Sequence, residues 1–361
     1  MLEKLTESAR QVLSLARQEA RKVQSGFIGP EHILIAILQE GGGIGAKVLK
    51  RLGGNPAHIR QEIEKLVTPS ASHGITLHVI PFSPFAKRAI EHAAESASQL
   101  GHDVIGTEHL LLGLLKNDEG IAAKVLNHLG FTLEDVRDIE LQEYRGFEIR
   151  ENILSKKECD DLAQALSSDD AKRSRAGLRH LMSHPVVAEL ARDSRLLEIA
   201  DCWVGPEAIP YRATLFEKDG DRNWLVIWHQ DTTLPLAARL ESPEWGPWSK
   251  KAGVHYAHAP AWALSRIIAL RIHLDPSTPE NGPLRVIPGS HVRGVLSDEE
   301  VFRLGRERKA VDCLAGRGAV LAMRPLLIHA SSKARSRSPR RVLHVEYAAS
   351  LELLGVRLAI A

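Results

Sequence analysis

The chain has few cysteines, no long apolar run and almost no net charge. Cys159, Cys202 and Cys313 lie far apart and form no CxxC pair, which excludes a disulfide framework and a thiolate zinc site. Buried reduced thiols are expected instead. No stretch approaches the roughly 20 consecutive apolar residues that a membrane-spanning helix requires. The opening MLEKLTESAR carries charges where a signal peptide has its apolar centre, so a cytoplasmic protein without a membrane partner is expected. A formal net charge of +2 gives no reason to invoke nucleic acid. A GxxxxGK[ST] phosphate loop is also missing, which excludes ATP-driven work built on that loop.

What is present is ordinary globular material, 44% hydrophobic and 25% charged over 361 residues, long enough for two domains. Shifting the sequence by 77 positions aligns IGPEHILI (28–35) with IGTEHLLL (105–112), and GIGAKVLKRLG (43–53) with GIAAKVLNHLG (120–130). Eight of the last eleven positions are identical, so the first 143 residues hold an internal repeat. Its pattern is helical: Ala9, Val12, Leu13, Ala16 and Ala20 recur at spacings of three and four, as do Ala86, Ala89, Ile90 and Ala93. Each copy should hold about four short helices, joined by an exposed connector at 68–81. Glu31 and Glu108 fall at helix starts, where the helix dipole favours an anion.

These paired motifs resemble the N-terminal repeat domain of Clp unfoldases. The resemblance implies an all-α duplicated domain over residues 1–143 that captures a protein or peptide partner, and some members of that family bind phosphoarginine through the residues corresponding to Glu31 and Glu108. Helix-start stabilisation by the same two glutamates is the simpler alternative.

Beyond residue 144 the pattern changes. A strand-like GFEIR and a helical SKKECDDLAQALSS lead into strand candidates AIPYRATLFE, WLVIW, SRIIALRIHLD, PLRVIPG, AVLAM, LLIHA and RVLHVEYA. Gly, Pro and Asp turn signals separate them, as in an antiparallel sandwich or barrel. In WHQD, His229 and Asp231 are two residues apart on a strand and share one face. His329, ending an apolar run, is the chosen third ligand. Two imidazoles and a carboxylate suit a non-haem Fe(II) oxygenase, and zinc accepts the same set. Arg340, eleven residues after His329, offers a planar guanidinium for a carboxylate such as the distal one of 2-oxoglutarate.

WHQD, ENGPLRVIPGSH, IHASS and the His-to-Arg spacing resemble phytanoyl-CoA dioxygenase-like enzymes from about Tyr144 to Ala349. The resemblance implies a double-stranded β-helix (jelly roll) with flanking helices over residues 144–361, and Fe(II), 2-oxoglutarate and O2 as cofactor and cosubstrates. His229, Asp231 and His329 would bind the metal, Arg340 the cosubstrate, with Gln230 and Ser331 close by. Related halogenases replace the carboxylate by a small residue, so Asp231 implies hydroxylation. Arg271 and His273 stand where relatives often carry Trp and a small residue, and point to a polar or anionic small-molecule substrate. Two other readings stay open: a catalytically silent adaptor for a Clp protease system, and a peptide hydroxylase recruited through the helical module. His255 and His258 have no nearby carboxylate in sequence and are expected to be solvated or packed; Trp245, Trp248 and Trp262 are expected to pack, and the basic run 333–341 to be a solvated loop.

Overall fold

The computed structural model describes residues 2–67, 80–100, 102, 104–167, 177–219 and 223–361. The chain divides into two compact units, Met1–Glu143 and Tyr144–Ala361. The expected connector at 68–81 lies almost wholly outside the described residues. Among these, no helix is long and apolar enough to cross a membrane.

In the first unit the 77-residue shift extends to the helix bounds. Helices α1 (Glu7–Lys22), α2 (Pro30–Glu40), α3 (Ile44–Arg51) and α4 (Pro56–Leu66) are followed by α5 (Pro84–Gln99), α6 (Thr107–Lys116), α7 (Ile121–His128) and α8 (Leu133–Arg145). Their caps repeat too: the Thr6 hydroxyl accepts from the Ala9 N–H at 3.2 Å, and the Ser83 hydroxyl from the Ala86 N–H at 3.1 Å. The copies are joined reciprocally, since the Thr6 N–H donates to the Ile105 carbonyl and the Ser83 N–H to the Ile28 carbonyl, each at 2.9 Å. One core, including Val12, Ile33, Leu34, Ile90, Leu111 and Val125, runs through both copies. Helices α5 and α6 approach closely at Gly113, where a Cβ would lie 2.1 Å from the Ala89 carbonyl oxygen.

The second unit is built on strands β1 (Phe147–Arg150), β2 (Gly177–Arg179), β3 (Ile209–Lys218), β4 (Val226–His229), β5 (Thr233–Leu236), β6 (Trp248–Lys251), β7 (Val254–His258), β8 (Ile267–His273), β9 (Leu284–Val286), β10 (Val311–Cys313), β11 (Val320–Met323), β12 (His329–Ser331), β13 (Arg340–Ala348), β14 (Glu352–Leu353) and β15 (Val356–Arg357). A six-stranded antiparallel sheet has the order β1-β11-β8-β13-β3-β2, and a four-stranded one the order β10-β9-β12-β4. Strand alternation decides what each face holds. Ile268, Leu270 and Ile272 of β8 and Leu343, Val345 and Tyr347 of β13 form a core with α9 (Lys156–Ser167), α10 (Pro185–Leu190) and α11 (Ser194–Val204). On the smaller sheet Ile287, Ile328 and Trp228 pack under Val301 and Leu304 of a helix at Asp298–Glu307. The opposite faces meet each other, through an apolar cluster of Ala269, Leu321, Met323, Leu284, Val286 and Leu327, and through the polar residues described below.

The stretch between β4 and β8 forms its own sheet, β5-β7-β6. Trp245 is buried there, edge-on to Trp262 at 6.1 Å.

Candidate metal centre

Antiparallel pairing of β4 with β12 sets His229 directly opposite His329, and their ring centroids stand 4.1 Å apart. Each imidazole Nδ1 lies 2.8 Å from a carbonyl oxygen two residues earlier in the chain, Ile227 and Leu327 respectively. A carbonyl only accepts, so Nδ1 carries a proton in both rings and Nε2 is the nitrogen left to face a metal. Those Nε2 atoms lie 3.8 Å (His229) and 3.6 Å (His329) from the two carboxylate oxygens of Asp231. One ligand atom from each residue falls within 4.8 Å of the others. The Asp231 N–H, donating to the Pro325 carbonyl at 2.9 Å, fixes the loop that carries the carboxylate.

Burial raises the Asp231 pKa, but His329 and His229 outweigh it and hold the carboxyl well below its usual range. Burial pushes His329 down to about 4 against the pull of Asp231, so this ring is neutral at pH 7. The site is open on one side, because the Asp231 side chain is 40% exposed and that of His329 only 4%. Ile227, on the same face of β4 as His229, and Leu225, just before the strand, are exposed apolar residues. Their period-two register with His229 was the available sequence signal.

Next to the triad the facing sheets enclose an excess of positive charge. Arg340 of β13 is in register with Lys218 of β3, and both are buried. Lys218 Nζ donates to the Ser331 hydroxyl at 2.7 Å and the Ser332 carbonyl at 2.6 Å, while an Arg340 Nη lies 3.5 Å from the same hydroxyl. Arg271 bonds to His344 Nδ1 at 3.1 Å, and His273 Nδ1 to the Ser277 hydroxyl at 3.0 Å. Arg340 Nε, Arg271 Nε and His273 Nε2 are buried without a hydrogen-bond partner. Burial, then Arg340 and Arg271, push Lys218 down to about 7, and burial with Arg271 pushes Arg340 down to about 9. His273 is pushed down to about 3, first by burial and then by Arg271 and Arg340. Buried cations without an anion are costly, so this arrangement calls for one. Lys218 was not picked out from sequence, although its even spacing from Phe216 and Thr214 places it on the inward face.

The remaining sequence candidates have other partners. Gln230 donates to the Gly294 and Leu326 carbonyls at 2.9 and 2.7 Å and accepts from the Leu296 N–H at 2.9 Å, so its amide ties the 294–296 segment to the loop at Leu326. In the helical unit Glu31 and Glu108 are buried, their carboxylates folded back over Gly29 and Gly106, where a Cβ would collide with them. The adjacent imidazoles cap the same helices: His32 Nδ1 accepts from the Gly29 N–H at 2.9 Å and His109 Nδ1 from the Gly106 N–H at 2.8 Å. Burial pushes Glu108 up to about 7. Arg341, at the end of the basic run, grips Asp275 at 2.7 and 2.8 Å, so this residue and Arg340 are held in the fold and are not loop residues.

Two imidazoles and a carboxylate meeting beside buried cations present the donor set of a two-histidine, one-carboxylate metal centre. The profile of the phytanoyl-CoA dioxygenase (PhyH) family matches residues 143–342, more than half of the chain, and the protein belongs to that family. The Clp repeat N-terminal domain profile matches residues 4–127 and 81–146, so a Clp repeat region precedes the sheet-rich domain. Over 137 residues the chain is 48% identical to an ATP-dependent Clp protease ATP-binding subunit ClpA homolog of Guillardia theta, covering 38% of this chain and 16% of that protein. It is 47% identical over 137 residues to the chloroplastic chaperone protein ClpC1 of Arabidopsis thaliana, covering 38% and 14%. The chain thus spans about one-sixth of the length of these curated relatives. Among solved structures it is similar to EctD from S. alaskensis with bound Fe (TM-score 0.45, 23% identity, 59% of this chain and 75% of that one). It is also similar to AviO1 from Streptomyces viridochromogenes Tue57 (TM-score 0.43, 22% identity, 58% and 92%).

Proposed function

We propose that the second unit is an Fe(II)- and 2-oxoglutarate-dependent dioxygenase that hydroxylates an unactivated C–H bond of a small polar or anionic substrate, its two sheets forming a double-stranded β-helix. The observation that carries this reading is the meeting of His229, Asp231 and His329 beside an Arg340 guanidinium whose Nε has no partner. When bound, ferrous iron and 2-oxoglutarate supply the oxidising chemistry, in which O2 is consumed, the cosubstrate leaves as succinate and CO2, and the substrate gains a hydroxyl group. The chain's part is to bind, orient and exclude water. His229, Asp231 and His329 would hold the metal, with both ring tautomers set in advance by the Ile227 and Leu327 carbonyls. Arg340, with Ser331 and Lys218, would receive the distal carboxylate and relieve the uncompensated charge. Zinc accepts the same ligands, but a zinc site has no need of a buried guanidinium for a dicarboxylate.

The Clp repeat region is assigned the recruitment of a protein or peptide partner; Glu31 and Glu108, buried over Gly29 and Gly106, favour the helix-start role over a direct contact with it. The test is turnover: purified chain with Fe(II), ascorbate and 2-oxoglutarate is expected to release succinate slowly even without substrate. No succinate, together with no binding of iron or 2-oxoglutarate, moves the reading to a silent adaptor.

A further inference from the structure

The second unit holds another concavity, distinct from the metal ligands. A cavity of about 880 Å³ lies between β2 with the turn after it and the tip of the β6–β7 hairpin, bordered by Arg179, His180, His184, Lys251 and Ala252. That volume suits a small organic ligand.

Its basic groups gather around Tyr256. Lys251 Nζ lies 5.1 Å from the centre of that ring, the Arg212 guanidinium 5.5 Å, and the His180 ring stands edge-on at 6.2 Å. An aromatic face holds a cation without using up its N–H donors. Among the described residues no carboxylate pairs with Arg179, His180 or Lys251. Arg212 is the exception, paired with Glu346 at 3.1 Å, and through Glu346 and His344 it joins the network that reaches Arg271.

Further observations point to a ligand. His184 Nδ1, on the cavity wall, is buried without a hydrogen-bond partner. The backbone is left-handed at His180 (φ 59°) and at Ala252 (φ 48°), two non-glycine residues on separate segments that both border the cavity. At Ala252 this is the ordinary two-residue turn of the β6–β7 hairpin, shared with Gly253 (φ 86°), so the unusual conformation is that of His180. Burial first, then Arg179 and Arg212, lower the Lys251 pKa, and burial with Arg212, Arg179 and Lys251 lowers that of His180, so the groups share one positive potential.

We propose that this cavity is an anion subsite that takes a phosphate group of the substrate, held by Arg179, Lys251 and His180. Two cations and an imidazole N–H donor match a phosphate better than a single carboxylate, and the cavity exceeds the size of a bare phosphate, leaving room for the organic body that carries it. The assignment of the ligand as substrate rests on the oxygenase reading; anion binding itself does not.

The test is calorimetric titration of the full chain, without iron or 2-oxoglutarate, with inorganic pyrophosphate, and with acetate for comparison, at fixed ionic strength. Pyrophosphate is expected to bind more tightly than acetate, and the double variant Arg179→Ala, Lys251→Ala to bind pyrophosphate at least about tenfold more weakly, the loss of two charge-assisted contacts. Both residues are exposed, so their truncation leaves the core intact. Lys251→Arg is expected to retain binding. Failure of the wild type to bind pyrophosphate, or equal affinity in the double variant, overturns the proposal. Because the titration involves no turnover, a chain that binds pyrophosphate but neither releases succinate nor binds iron or 2-oxoglutarate would sink the oxygenase reading and leave the subsite standing.

Discussion

Replacing Arg340 by leucine separates two effects carried by one side chain. The residue is 4% exposed, its Nε has no partner, and burial with the Arg271 charge pushes its pKa down to about 9, against an ordinary arginine value above 12. At about 1.4 kcal/mol per pKa unit, the gap corresponds to at most about 5 kcal/mol of unfavourable burial for the charged form. Apolar replacement of buried charges returns roughly 1–4 kcal/mol in practice. The ligand-free Arg340→Leu chain is therefore expected to be more stable by about 1–4 kcal/mol, and the second unit to melt several degrees higher, at about 2–4 °C per kcal/mol. With 2-oxoglutarate the sign reverses. Losing a paired guanidinium–carboxylate contact, at roughly 1.5–3 kcal/mol per bond, should weaken cosubstrate binding by about 10²-fold or more. Scanning calorimetry under anaerobic Fe(II), with and without 2-oxoglutarate, reads both effects. A variant that is less stable without ligand, or that binds 2-oxoglutarate within about fivefold of wild type, refutes the reasoning.

Glu108, pushed up to about 7 from an ordinary 4.5, keeps a proton in the folded chain that the unfolded chain releases. The Glu108 contribution to stability should therefore be greatest below pH 4.5, fall as pH rises toward 7, and stay lower above it, by at most about 3 kcal/mol, while burial and His102, which hold His109 down to about 3, make its contribution run the other way between about pH 3 and 6.5. Glu108→Gln should remove the Glu108 fall, so that the variant gains stability relative to wild type on going from pH 5 to pH 8 in urea midpoints; the same change in both chains removes Glu108 as a contributor. Gly113→Ala should cost about 1–3 kcal/mol by overpacking α6 against the Ala89 carbonyl, even though the repeat partner at that position is Ala36. An unchanged denaturant midpoint would mean that α5 and α6 separate freely.

The repeat was legible because helices keep their register along the chain: a 77-residue shift that aligns motifs also aligns caps such as Thr6 with Ser83. Strand alternation suggested the pairing of His229 with Asp231, but β4 ends at His229, and Asp231 reaches the site from the following loop, held by its N–H bond to the Pro325 carbonyl. Placing His329 against His229 needs β12 beside β4, a long-range pairing that no local pattern specifies. Lys218 was missed because a lysine before DG resembles a solvated strand end, and only closure of β3 against β13 buries it. Gln230 followed the histidines in sequence, but odd spacing turned its amide to the backbone of neighbouring loops. The cavity at Arg179 and Lys251 joins residues 72 positions apart, and nothing local joins them. The strands of the β5-β7-β6 sheet were hidden by Pro235 and Pro247, which interrupt the strand pattern in sequence.

The most direct measurement is anaerobic titration of Fe(II) into the purified chain and into three single variants, His229→Ala, Asp231→Ala and His329→Ala. One ferrous ion bound per wild-type chain, with at least about tenfold weaker binding in every variant, is predicted from the convergence of the three ligand atoms. Iron bound as tightly by the His329→Ala chain as by wild type, or not bound by wild type at all, would contradict it.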